Sequence, residues 1–198
     1  MAPVVIVGAL VQSLLVVGDP TPEGAWGFAL RVVMSGLALI GALWLIVGAA
    51  ATAVKVDARF SMPSIRLLTG VTAAVVIGAL TGVLSPILPI VVAAVALPLL
   101  SALAVEPRTT AFRTVTYSPG RALLGYLWIA VLSIVNWVIA LMLGFFVAGP
   151  VAAALTWVVF GFSTAVLATY WAAMHLRAQE QKQAGPKAHR SGRTVGSE

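Results

Sequence analysis

The side chains that could do chemistry in this sequence are few enough to weigh one at a time. Gln12 with Ser13, Arg31, Asn136 and His175 are the polar groups that stand out inside or at the edge of long apolar runs. Hydrolysis or group transfer needs an acid, a base or a nucleophile held within reach of one another. The acids are Asp19, Glu23, Asp57, Glu106, Glu180 and Glu198, and none lies inside an apolar run. No cluster of them could hold Mg²⁺ for phosphoryl transfer. The chain has no H-E-x-x-H, no G-x-S-x-G and no phosphate-binding P-loop. The stretch GFSTA from Gly161 lacks the second glycine and a neighbouring base. There is no cysteine, which removes disulfides, thiolate metal sites and cysteine nucleophiles. The expectation is a protein that is not an enzyme, with no catalytic residues, no cofactor and no metal. The missing intramembrane carboxylate also counts against a proton- or sodium-coupled transporter of the carboxylate type.

Each polar group has a structural role to set beside a functional one. An unpaired amide in lipid is costly, so Asn136 must find a partner. An interhelical hydrogen bond is the plain role, worth about 0.6–2 kcal/mol, and contact with a solute is the functional one. Gln12 has the same two readings. Arg31 can snorkel to headgroups or pair with Asp19 or Glu23, and its functional reading is an anion contact at the outer face. His175, beside Arg177, reads as an interfacial residue. A proton relay there would need a carboxylate partner inside the membrane.

Composition says what must position these groups. Of 198 residues, 61% are hydrophobic and 9% charged, and mean hydropathy is +1.04. Too few charges remain to solvate a globular surface, since soluble domains carry about 25%. Disorder is excluded by the same numbers. The solvent is therefore lipid, and six apolar segments can be drawn at residues 3–17, 28–54, 67–84, 87–105, 122–148 and 151–176. Runs of about 20 apolar residues cross a bilayer as helices. The first segment is short for this. Pro86, Pro89 and Pro98 should kink the fourth or leave it partly interfacial.

Charge sets the orientation. Of the twelve Lys and Arg residues, all but Arg31 lie on one side if all six segments span. The positive-inside rule then puts both termini in the cytoplasm. The net charge of +6 is read as membrane orientation and not as nucleic-acid binding. The fold expectation is all-α: a polytopic bundle of six transmembrane helices in three hairpins, N-in and C-in. It occupies residues 1–176 and is followed by a disordered basic cytoplasmic tail, 177–198. An Ala-, Val-, Gly- and Arg-rich composition suggests a bacterial plasma membrane.

Two loops repeat a phrase, FSMPSIRLLTG from Phe60 and YSPGRALLGY from Tyr117. Ser61 and Ser118 are candidate helix caps, with proline in the first turn. Arg66 and Arg121 are then headgroup anchors at the start of a hairpin. Trp26, Tyr117, Tyr126 and Trp171 fall near segment ends, as an aromatic belt would. Trp44, Trp137 and Trp157 lie deeper, where packing between helices is expected.

Small residues form stripes. Gly70, Ala74, Gly78 and Gly82 recur every four residues. Ser133, Asn136, Ala140 and Gly144 share a face of the fifth segment, and Gly161, Ala165, Ala168 and Ala172 a face of the sixth. Such stripes let helix backbones approach closely. They serve packing inside one bundle, or a homo-oligomer or membrane-protein partner beside the lipid bilayer. With no catalytic equipment, the leading expectation is a scaffold or accessory subunit of a membrane complex. The alternative is a small transporter or exporter component for an apolar or amphipathic solute.

Overall fold

A computed structural model describes residues 1–15, 24–55, 62–105, 115–116, 118–147 and 149–188. Among them the protein is all-helical, with no strands. The helices are α1 (Ala2–Leu14), α2 (Ala25–Ala53), α3 (Ile65–Leu84), α4 (Leu88–Val105), α5 (Pro119–Phe146) and α6 (Gly149–Ala188). Five of them, α2 to α6, are long and apolar enough to cross a membrane. α1 is apolar but has 13 residues, a rise of about 20 Å. Its length is the part of the six-helix reading that falls short of a full span.

Local chemistry explains where helices begin. Gly24 precedes α2 at φ 94°, and Gly149 opens α6 at φ 69°. Both are left-handed conformations that glycine adopts without a Cβ penalty. The two similar loops start their helices differently. Ser64 caps α3, its side chain accepting from Leu67 N at 3.2 Å, so Pro63 lies before the cap and not in the first turn. In α5, Pro119 is in the first turn, and Ser118 holds the cap position without a side-chain hydrogen bond. Ser61 lies outside the described residues. α4 runs unbroken through Pro98.

Two differences from the sequence reading stand out at α6. The last segment was expected to end at residue 176, with disorder from Arg177. The helix continues to Ala188, and residues 177–184 are good helix formers. Trp171 therefore sits well inside a helix. Expected as a belt residue, it is fully buried. Trp137 shows the reverse, being 62% exposed where packing between helices was expected.

The core is concentrated at one end of the bundle. Val47, Ala50, Leu67, Val71, Leu100 and Ala168 form one buried cluster. Ala122, Ile129, Leu167, Trp171 and Met174 form a second, and Ala51, Val105 and Ala172 a third. These are the C-terminal parts of α2 and α4, the middle of α6 and the N-terminal parts of α3 and α5. Lys55, Arg66, Arg121 and Arg177 lie at this same end. Beside this core, α1 fills the angle between α2 and α6. Val5 and Ala9 are buried there, with Val5 packed on Ile46 and Ala165. α5 packs on α6 and on α4, and makes no packing pair with α2 or α3 among the described residues. The helices are thus gathered at the basic end and less completely packed at the opposite end.

Candidate functional site: a cavity inside the bundle

That incomplete packing leaves a half-open cavity of about 740 Å³. All six helices contribute to its wall. Its floor is apolar and made by Val47, Leu97, Leu100, Ile129 and Leu167, where the helices converge. Phe28, Arg31 and Pro89 line it near the opposite end. Small residues keep it open. Gly36 of α2 has no atom within 4 Å of the place where a Cβ would stand, and Ala93 and Ala96 of α4 also line the space.

The polar groups in this wall fall into two sets. On the α1–α2 side, Gln12 and Ser35 are closed upon each other. Gln12 Nε2 donates to the Ser35 carbonyl at 2.9 Å, and Ser35 Oγ donates to Gln12 Oε1 at 2.7 Å. Arg31 lies one helical turn before Ser35 on the same α2 wall and is half-buried. On the α5–α6 side, Ser163 Oγ donates to Asn136 Oδ1 at 3.4 Å. Ser133 and Asn136 complete that wall. Thr164 lines it too, with its hydroxyl donating to the Phe160 carbonyl at 2.9 Å. Among the described residues no carboxylate is in the lining. Among them the lining is apolar but for these few polar side chains and Arg31.

The residues singled out in the sequence divide between this cavity and the helix contacts. Arg31, Ala74, Gly78 and Asn136 all line the cavity. The α3 stripe faces α4. A Cβ on Gly70 would meet Leu100 Cδ2 at 2.9 Å, and one on Gly82 would meet Pro89 at 3.3 Å. On Gly78 the nearest atom is Val92 Cγ1 at 3.9 Å, so the contact relaxes along the cavity wall. Gly161 faces α1, where a Cβ would come within 2.6 Å of Val5 Cγ1. Gly144 is exposed with nothing within 4 Å. Arg66 and Arg121 are exposed at the starts of α3 and α5, and the Arg121 carbonyl accepts from Tyr170 Oη at 2.7 Å.

Other contacts carry no local signal in the sequence. Gly48 is seated against the Pro63 ring. Gly125 accepts the ring edges of Tyr170 and Trp171, where a Cβ would sit 2.8 Å from each. His175 Nε2 lies 2.9 Å from the Pro98 carbonyl. A carbonyl can only accept, so the Nε2 nitrogen carries the hydrogen. This bond ties α6 to α4 at its interior proline. Among the described residues no three His, Cys, Asp or Glu side chains gather as metal ligands would.

No protein-family model, no curated protein and no solved structure matches this chain, so the reading of the cavity rests on the chain's own residues.

Proposed function

We propose that this is a six-span, non-enzymatic membrane protein, with both termini in the cytoplasm, that holds an apolar or amphipathic solute within the bilayer as a transporter or exporter component. The observation that carries the reading is the cavity of about 740 Å³, apolar but for a few convergent polar groups. Sites for small molecules have this character and span about 300–1,000 Å³. Lack of an intramembrane carboxylate makes ion coupling of the usual kind a poor fit, so the solute would move down its own gradient or be handed to a partner. The scaffold reading, favoured by the sequence, has no comparable observation behind it, because the small-residue stripe of α3 is spent on α4.

Native mass spectrometry from nanodiscs tests this. The protein should carry a stoichiometric small molecule or lipid, retained after lipid exchange. Gly36→Leu, which projects into open space in the cavity, should abolish the bound mass while leaving the melting temperature unchanged or raised. Asn136→Leu should reduce solute retention with assembly intact. A stoichiometric foreign protein in place of a small mass, or loss of assembly in Asn136→Leu, would return the scaffold reading to first place.

A further inference from the structure

We propose that the cavity opens sideways into the bilayer, between α4 and α5, and that its guest is a molecule with an aliphatic body, taken from the surrounding hydrocarbon and not from water. This rests on the solute-cavity reading above and adds the route and the source of the solute.

Depth is the first reason. On the floor, Val47 lies eight residues from Lys55, Ile129 eight from Arg121 and Leu167 ten from Arg177. That is about 12–15 Å of helix rise from the basic end, near the middle of a hydrocarbon core about 30 Å thick. The cavity runs from there toward Phe28 and Pro89, so it occupies one half of the membrane's thickness. A side opening at this depth meets acyl chains.

Packing supplies the opening. α5 is buried at Ala122, Gly125 and Ile129 and at no residue beyond them, although Leu132, Ser133 and Asn136 go on to line the cavity. Across the seam, burial on α4 begins only at Pro98, although Pro89, Val92 and Ala93 line the same space. At that end α4 is committed to α3, where Gly78 faces Val92 and Gly82 faces Pro89. Ala94 and Leu97 pack against the cluster that holds Ile129. Farther from the basic end neither α4 nor α5 buries a residue, and the cavity is half-open.

The rim suits lipid. Val91 and Val95 on α4 and Ile134 and Trp137 on α5 are neighbours of the lining positions and are exposed. α4 carries no charged residue, and α5 none after Arg121. A mainly apolar space gives water few partners and tends to stay dry, so what fills it is drawn from the hydrocarbon beside it.

The chain has no cysteine, so single nitroxide labels can be placed without background. Labels are attached at Ala96→Cys on the cavity wall, at Val95→Cys on the lipid face beside it, and at Arg66→Cys as an aqueous reference. Power saturation in phosphatidylcholine nanodiscs then compares oxygen, which concentrates in hydrocarbon, with a water-soluble nickel chelate. Oxygen should dominate at the Ala96 and Val95 positions, and the nickel chelate at Arg66. Ser133→Trp, which narrows the mouth, should remove the oxygen effect at Ala96 and leave that at Val95 intact. Ser133→Leu should give a smaller loss in the same direction and Ser133→Ala none, with melting temperatures confirming that each variant is folded. The nickel chelate dominating at Ala96, or an oxygen effect there that no Ser133 variant changes, would overturn the sideways route and leave the cavity reading intact. Access of neither reagent to Ala96, with oxygen still reaching Val95, would overturn both.

Discussion

Trp171 rests on Gly125. The Trp171 ring edge occupies space that any side chain at position 125 would need, with Cζ2 only 2.8 Å from a hypothetical Cβ. Tyr126 meets the same indole edge-on at a centroid distance of 5.1 Å, and Tyr170 does so at 6.1 Å. This is where α5 and α6 are locked together at the basic end. Trp171 Nε1 is buried without a hydrogen-bond partner among the described residues, so the contact is held by shape and ring electrostatics.

Gly125→Val should therefore destabilise the protein by about 1–3 kcal/mol through overpacking, and Trp171→Ala by about 3–5 kcal/mol through the cavity it leaves. Gly144→Leu, on the same helix but exposed, should stay within about 0.5 kcal/mol of wild type. Equilibrium unfolding in detergent micelles compares the three. A Gly125→Val protein as stable as wild type would show that the ring does not sit there.

The Gln12–Ser35 pair should act as one unit holding α1 to α2. Gln12→Leu is expected to cost about 0.6–2 kcal/mol. Ser35→Ala should cost less in the Gln12→Leu background than alone, and a double-mutant cycle measures the coupling. Additive losses would mean that the two side chains are not partners.

His175→Phe keeps the ring but removes the donor to the Pro98 carbonyl. The expected loss is about 1–3 kcal/mol, the cost of leaving a buried polar group unmet. Nitrogen-15 NMR of the histidine ring should show the hydrogen on Nε2. A hydrogen found on Nδ1 alone is incompatible with the observed contact.

Orientation is tested with alkaline phosphatase fusions. Fusions after Ser85 and Gly149, at the end away from Lys55, Arg66, Arg121 and Arg177, should be active. Fusions after Asp57 and Arg113 should be inactive. The opposite pattern would reverse the proposed N-in, C-in topology.

Much of the architecture was legible in the chain, because hydropathy is a property of each segment by itself. Five apolar runs long enough to span, their boundaries near Pro63, Ser85 and Pro150, and the gathering of basic residues on one side all follow from local composition. Even so, similar phrases led to dissimilar helix starts, since Ser64 reaches the Leu67 N–H in one and Ser118 makes no side-chain cap bond in the other.

What only the tertiary structure decided is which face meets which. In lipid, the buried and the exposed faces of a helix are both apolar, so periodicity carries little of the contrast that reveals a core in water. Nothing around Gly125 says that Trp171 will fill its place, and nothing around Trp137 says that it will face outward. Arg31 and Asn136 are 105 residues apart in the chain and become walls of one cavity only because α5 is held by α6 and α4 and not by α2 or α3. The segments and their polarity were determined by the sequence alone. The cavity arises from how the helices diverge away from a core at one end, and divergence is a relation among helices that no single segment encodes.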